Sequence, residues 1–317
     1  MDNQVKNTQS KKDTTFANLT QERPTASNAI EIPSISLPQG GGALKGIDEK
    51  FEVNAANGTA SFSVPLPLTP GRNGFGPALA LSYNSGGGNS AFGLGWDLDL
   101  LSIQRKTDRG LPRYGQGESE DVFMFSGVED LVPVLEESND WSNQVTRFED
   151  LIIRQFRPRI EDSFHRIEWV DDPEQGPFWK VTTPENVTTF FGKSPSCRLA
   201  DPADKGRIFK WLPEFSFDDQ GNWIQYVYKA ENVQEVPAVP HEANRLNGKA
   251  PFTNSHLKRV RYGNRKAWYA DHPYRPTLPT AEAPYFFELV LDYGEHRSNL
   301  EYFSSFYIKQ TSGTAKI

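Results

Sequence analysis

The chain has 317 residues, with 34 Lys and Arg against 41 Asp and Glu, a formal charge of −7. A net acidic chain with no dense basic stripe is poorly suited to nucleic acid, because phosphate contacts need clustered cations. Its single cysteine, Cys197, excludes an internal disulfide framework and a cysteine-rich zinc site, while 21 Phe, 11 Tyr and 7 Trp can fill a sizeable core.

Residues 1–29 are polar and charged, rich in Asn, Gln, Thr, Lys and Asp, and read as a disordered lead-in. No apolar stretch follows their basic residues, so a secretory signal peptide is not expected. No uninterrupted apolar run approaches the length of a membrane span. Beyond this segment strand-type alternation dominates. TASFSVPLPL (59–68) sets Ala60, Phe62, Val64, Leu66 and Leu68 on one face and Ser61, Ser63, Pro65 and Pro67 on the other. The two outward prolines predict an edge strand, since proline cannot donate to a ladder. PALALSY repeats the pattern with Leu79, Leu81 and Tyr83.

The next stretch, SYNSGGGNSAFGLGW, carries the motifs that most invite a chemical reading. Gly86 to Ala91 satisfies G-x-G-x-x-A, yet a dinucleotide cradle needs a helix to open there, and Phe92-Gly93-Leu94-Gly95-Trp96 cannot open one. Gly88 to Gly93 has Walker spacing, but Leu94 stands where the phosphate-binding lysine belongs. Gly88-Asn89-Ser90-Ala91-Phe92 misses the nucleophile elbow G-x-S-x-G at its last position. The stretch therefore reads as a strand, a glycine corner and a second strand. Phe92 and Trp96 are expected to pack back on the sheet, and glycine's tolerance of positive φ accounts for the glycine run. GWDLDLLSIQR then alternates through Trp96, Leu98 and Leu100 and shifts phase at Leu101 and Ile103, as a β-bulge would. Asp97 and Asp99 share the opposite, solvated face. Glu118-Ser119-Glu120 matches the bare E-x-E of ADP-ribosyltransferases but lies in a polar turn.

Further strands are predicted at DVFMF, LIIRQF, SFHRIEWV, FWKVTT, VTTFFG, IFKWLPEFSF, NWIQYVY, HLKRVRYG and YFFELVLDY, with turn residues between them at spacings near ten. Cys197 has no base beside it in sequence and reads as a buried thiol. FDDQGNWIQYVYKAEN places Asp219, Gly221 and Asn222 in a turn and Tyr226 and Tyr228 on one strand face. Its layout resembles a tyrosine-aspartate (Rhs/YD) repeat. Residues 233–256 form the longest loop candidate. Within it His241-Glu242-Ala243-Asn244-Arg245 has Arg where a zincin's second histidine belongs, and none of the five histidines has metal-ligand spacing. Lys258-Arg259-Val260-Arg261, the densest basic run, alternates along a strand. The fold class expected is all-β, a large twisted antiparallel sheet or sheets of short strands and hairpins.

Taken together, the run from Ile35 through the glycine corner to Tyr114 resembles the SpvB-type N-terminal domain of bacterial virulence proteins. So do SFHRIEW, FWKVTTPENVTTFFGKSPSCRLADP, KWLPEFSFDDQGNWIQYVYKAEN, LKRVRYGN and FFELVLDYGEH. B components (TcaC/TcdB type) of insecticidal Tc toxin complexes share that domain, and the likeness covers about Ile32 to His296. The resemblance makes Gly86, Gly87, Gly88, Phe92, Gly93, Gly95 and Trp96 a structural family motif. It implies a domain over 30–296 that opens a large β-sheet shell. With Rhs repeats and a C component, such a shell encloses a toxic effector and passes it to a pore-forming A component. The implied partners are therefore the remaining toxin components, with no nucleic acid, no membrane insertion by this chain and no cofactor. The family's transferase residues lie in a downstream domain, so no catalytic residue is carried over and no enzyme activity is expected. Residues 297–317 read as a divergent or truncated tail. The protein is expected in the bacterial cytoplasm before release and outside the cell afterwards. Two other readings fit the residues: a host glycan- or protein-binding module, and the targeting domain of an ADP-ribosyltransferase toxin whose catalytic domain is absent here.

Overall fold

The computed structural model describes residues 52–54, 58–108, 110–114, 121–127, 129–136, 144–161, 163–233, 238–248, 252–280, 283–293, 306–310 and 313–314. The polar lead-in 1–29, Glu118 and Glu120 lie outside the described residues. The architecture is all-β. It begins with a small antiparallel sheet in which Glu52–Asn54 (β1), Thr59–Pro65 (β2) and Ala80–Asn84 (β3) are neighbours in that order. Asn89–Ser90 (β4) and Gly93–Leu94 (β5) form a miniature hairpin, and Trp96–Leu98 (β6) returns along β3. The alternation of 59–68 holds, with Leu66 buried and Ser63, Pro65 and Pro67 exposed. β2 is nevertheless not an edge along its whole length. β1 covers Thr59 to Ser61, and the prolines fall on the uncovered remainder, where a missing N–H breaks no ladder.

The phase slip after Leu98 is not a bulge. β6 ends there, residues 99–102 form an irregular link, and the next strand, Ile103–Arg105 (β7), belongs to a second and much larger sheet. The alternation changes phase because the chain changes sheets.

That larger sheet takes up Phe123–Phe125 (β8), Glu129–Pro133 (β9), Val145–Phe148 (β10), Leu151–Pro158 (β11), Arg166–Asp171 (β12), Phe178–Thr182 (β13) and Thr188–Phe191 (β14). It continues with Arg198–Ala200 (β15), Ile208–Trp211 (β16), Pro213–Phe217 (β17), Trp223–Ala230 (β18), Ser255–Asn264 (β19) and Tyr285–Leu291 (β20). The backbone of Phe306–Gln310 (β21) and Gly313–Thr314 (β22) adds the last two strands. The lateral order is β15-β16-β7-β8-β9-β11-β12-β13-β14-β17-β18-β19-β20-β21-β22, with β10 beside the first half of β11. IFKWLPEFSF, expected as one strand, is two, split at Leu212. The split has a purpose. β16 pairs with β7, whereas β17 pairs with β14, so the run 208–217 closes the sheet into a ring. At the seam Leu212 accepts a hydrogen bond from the Gly192 N–H (2.8 Å) and donates its own N–H to Cys197 (2.8 Å).

A ring of about eight strands leaves an interior that side chains can fill. Here Ile103, Phe123, Phe156, Ile167, Trp169, Trp179, Val181, Phe191 and Trp211 point inward from successive strands and are buried together. Trp179 sits at the centre, with ring centroids 5.0 Å from Phe123, Phe156 and Trp169, all edge to face. That is the arrangement aromatic quadrupoles favour. Beyond β17 the sheet leaves the ring as an open arm. The small sheet covers β18, β19 and β20 of that arm, burying Leu66 and Leu79 against Ile224, Val260, Tyr262 and Leu289.

Two connections carry structure of their own. The first lies between β18 and β19, where an unbroken loop 233–256 is expected. It contains a 3-10 turn, Pro240–Glu242, and the one α-helix among the described residues, Ala243–Leu246 (α1), while β19 already begins at Ser255. The second, between β19 and β20, forms a strap over the outer face of the ring. There Tyr274 is buried with Leu151, Ile153, Val170, Phe178 and Phe190.

Candidate functional site

The glycine corner is built as a fold over β3 and β6. Trp96 packs edge to face on Phe62 at 6.2 Å and lies 5.3 Å from Tyr83, while Phe92 lies 6.1 Å from Tyr293 on the arm. The triple glycine does not supply positive φ. Gly93 (φ 108) and Gly95 (φ 80) do, and none of Gly86, Gly87 and Gly88 does. Crowding explains two of the three. A Cβ on Gly86 would stand 2.8 Å from the Thr59 methyl, and one on Gly87 would stand 2.9 Å from the Asn84 carbonyl oxygen. Nothing in the structure explains Gly88. Gly95 is the tightest position, since its Cβ would lie 2.6 Å from the Tyr83 ring and 2.8 Å from the Asn84 carbonyl oxygen, at a φ that side chains avoid. Gly95→Ala is therefore expected to cost about 1–3 kcal/mol, read as a lower midpoint in urea without a change in slope.

The tyrosine-bearing hairpin joins β17 to β18 through residues 218–222. The carboxylate that organises this turn is Asp218, which accepts hydrogen bonds from the backbone N–H groups of Gln220 (3.0 Å) and Asn222 (2.8 Å) and from the Asn222 amide (2.7 Å). Asp219 is exposed, and Gly221 takes the left-handed conformation (φ 78). Tyr226 and Tyr228 both pack against the core between arm and small sheet, although a register shift separates them on β19. The Tyr228 hydroxyl donates to the Pro213 carbonyl at 2.7 Å. Burial pushes the Tyr226 hydroxyl up to about 12.

Tyr226 also lines a cavity of 490 Å³ whose residues come from the ring, the arm and the small sheet with its flanking links. Phe75, Ala78 and Leu79, then Asp99, Leu100 and Leu101, and Thr183, Val187 and Thr189 line it. The turns after β8 and β13 reach its lining through Ser126, Thr183 and Val187, and the turn after β11 lies at the same end of the ring. Each of those turns carries a non-glycine residue at positive φ: Ser126 (53), Phe164 (51) and Asn186 (60). Phe164 and Ile160 project from the middle turn and are more than two thirds exposed.

Chemically reactive side chains are not assembled here. Cys197 is buried, and burial pushes its thiol up to about 12, so it is not a thiolate at neutral pH. Among the described residues no group of three His, Cys, Asp or Glu could hold a metal ion. The most charged constellation lies instead under the strap. Glu168, fully buried on β12, accepts hydrogen bonds from Arg166 (2.7 Å) and the Tyr274 hydroxyl (3.0 Å), with the Lys180 ammonium 3.7 Å away. Burial lowers the Lys180 pKa, and burial followed by the Glu168 charge pushes Tyr274 up to about 12. Beside it, the Arg275 guanidinium donates to Asp172 (2.8 and 2.9 Å) and to Asp150 (2.8 and 3.0 Å). His272 accepts the backbone N–H groups of Tyr274 (3.1 Å) and Arg275 (2.8 Å) at Nδ1. These contacts fasten the strap, while Glu168 Oε2 faces the Lys180 ammonium without a hydrogen bond among the described residues. Sequence reasoning missed them because the strap has neither period nor motif.

The family described as Salmonella virulence plasmid 65kDa B protein matches residues 54–310. The mono(ADP-ribosyl)transferase SpvB of Salmonella choleraesuis is 36% identical over 269 residues, which is 82% of this chain and 42% of that protein. The chain thus spans less than half the length of this relative. The solved N-terminal domain of the effector SpvB from Salmonella typhimurium superposes with a TM-score of 0.62 at 33% identity, covering 73% of this chain and 71% of that one. The crystal structure of TcdB2-TccC3 gives a TM-score of 0.64 at 34% identity, covering 88% of this chain and 13% of that one.

Proposed function

This chain belongs to the SpvB family, and on that premise we propose that it is a non-catalytic structural module of a secreted bacterial toxin, contributing β-sheet to a shell around an effector. The observation that carries the reading is the likeness to a segment of TcdB2-TccC3 that makes up only 13% of that chain. A domain used in that way must offer rigid wall and open sheet, and both are present: a side-chain-filled ring and an arm that continues strand by strand past β20. The charged groups under the strap are tied to one another and buried, as a wall requires. The partners are the remaining components of such a complex, and the place of action is outside the producing cell.

A chimera tests this directly. Residues 54–310 are exchanged for the matching segment of TcdB2-TccC3, and the purified product is imaged by electron microscopy. A closed particle of native outline is expected. A chimera that is soluble and β-rich, yet leaves the particle open at the exchanged segment, would overturn the shell reading. Transfer of label from NAD to protein by the purified chain would overturn the non-catalytic one.

A further inference from the structure

The turn that seats the strap on the ring is closed by a histidine where other turns of this chain use aspartate. Nδ1 of His272 accepts the backbone N–H groups of Tyr274 (3.1 Å) and Arg275 (2.8 Å), two and three residues ahead. Short oxygen-bearing side chains ordinarily build such a turn. Asp172 does so here, accepting the N–H groups of Glu174 (2.8 Å) and Gln175 (3.1 Å) at the same two offsets. Asp201 and Asp204 likewise accept the N–H groups two residues ahead, from Ala203 (2.8 Å) and Gly206 (3.0 Å). The two N–H groups aimed at Nδ1 settle the tautomer of His272. That nitrogen carries no proton, so the ring's own proton sits on Nε2, 3.3 Å from the Glu149 carboxylate. An imidazolium donates from both nitrogens and can accept neither of the strap's N–H groups.

From this we propose that His272 is an acid-released clasp: protonation at Nδ1 opens the 272–275 turn and loosens Tyr274 on the ring, while Arg275 keeps the strap tethered. The clasp is closed with a neutral imidazole and is lost as the pH falls through the mildly acidic range in which histidine takes up its proton. The groups facing the imidazole are Phe148 and Glu149 from the end of β10, Asp271 from the strap itself, and Arg275 as the cation behind the second N–H. Hydrogen bonds from Thr277 hold the Asp271 carboxyl below the usual carboxylate range, and those from Arg275 do the same for Asp150 and Asp172. These acids stay ionised in mild acid, so the tether outlasts the clasp. Once the turn is open, Tyr274 keeps only its hydroxyl bond to Glu168 (3.0 Å) and the Lys180 ammonium over its ring (4.5 Å). Beneath it lies the apolar outer face of Leu151, Ile153, Val170, Phe178 and Phe190. Mild acid thereby loosens the cover of an apolar surface, a response that a passive wall does not need.

Hydrogen exchange of the intact chain, corrected for the pH dependence of the chemical exchange rate, reads the clasp. Between about pH 7.5 and about pH 5.5, which brackets ordinary histidine titration, protection at the Tyr274 and Arg275 amides is expected to fall. The fall is at least roughly tenfold, the size of effect that one lost hydrogen bond produces. Amides of β12 and of the small sheet are expected to keep their protection. His272→Asn supplies a side-chain acceptor for the same turn with no ring to titrate, and is expected to hold the strap protected at both pH values. Glu149→Gln is expected to retain the fall, because acid acts on the Nδ1 bonds and not on the contact at Nε2. Constant protection in the parent, an equal fall in His272→Asn, or loss of the fall in Glu149→Gln would overturn the proposal. So would a fall spread evenly over strap, ring and small sheet, which would mark loss of the whole fold.

Discussion

Replacement of Trp179 by alanine is expected to lower the free energy of unfolding by about 3–5 kcal/mol, the largest effect of any single substitution in the ring. The side chain is fully buried and touches aromatic rings from β8, β11, β12 and β16, so its removal leaves a cavity bounded by several strands at once. A closed ring cannot collapse onto that cavity as a single helix might, since each wall strand is held on both sides by a ladder. Trp179→Phe is expected to cost much less. The Trp179 Nε1 is buried without a hydrogen-bond partner among the described residues, so phenylalanine gives up no bond and keeps most of the volume. Tyr269→Ala, at a residue that is 64% exposed, serves as the control and should fall within about 0.5 kcal/mol of the parent. Urea unfolding followed by circular dichroism reads all three, and a Trp179→Ala protein within 1 kcal/mol of the parent, an effect of about that size being ordinary, would contradict a packed ring.

The second large effect is expected at the strap. Arg275→Ala leaves Asp172, whose side chain is fully buried, with the N–H groups of Glu174 and Gln175 as hydrogen-bond donors and only the more distant Lys193 and Arg198 as cations. Removing one member of a buried ion pair costs about 3–5 kcal/mol. The hydrogen bonds from Arg275, then those two backbone N–H groups, hold the Asp172 carboxyl at about 2, below its ordinary 3.8. A depressed carboxylate contributes stability that is complete above its unfolded value and is lost as the pH falls towards its folded one. The parent protein should therefore lose this contribution between about pH 4 and pH 2, whereas Arg275→Ala should lose markedly less over the same interval. Hydrogen exchange adds a spatial readout: faster exchange in Arg275→Ala is expected within the strap and along β12, with the small sheet unchanged.

Much of the strand content was legible because alternation reports burial directly. Phe62, Val64 and Leu66 against Ser63 and Pro65, or Trp169 and Ile167 on one face of β12, follow from period two alone. What alternation cannot report is the neighbour. Nothing in IFKWLPEFSF says that its two halves pair with strands from opposite ends of a sheet, because closure depends on β7 and β14, far apart in sequence. The slip between Leu98 and Ile103 was visible, but a bulge and a change of sheet leave the same trace. In the glycine corner the residue type was informative and its reason was not. Gly86 and Gly87 answer to crowding, Gly93 and Gly95 to backbone angle. Neighbouring aspartates 218 and 219 likewise look equivalent until the turn selects one. The cavity and the strap were beyond reach altogether, since both are made by residues with no periodicity brought together by tertiary packing.

The order in which the pieces become complete along the chain has a kinetic consequence. The strand ladder of the ring can close once residue 217 is present, because the run that closes it ends there, and only the strap over its outer face is still to come. The small sheet, made first, finds its covering partner last. Leu66 and Leu79 are buried against β19 and β20, whose residues extend to Leu291. At about 5–20 residues per second, ribosomes would leave that apolar face waiting on the order of 10–40 s after Leu98 is made. The nascent N-terminal sheet is thus the stretch that waits longest for its partner and has most need of a chaperone.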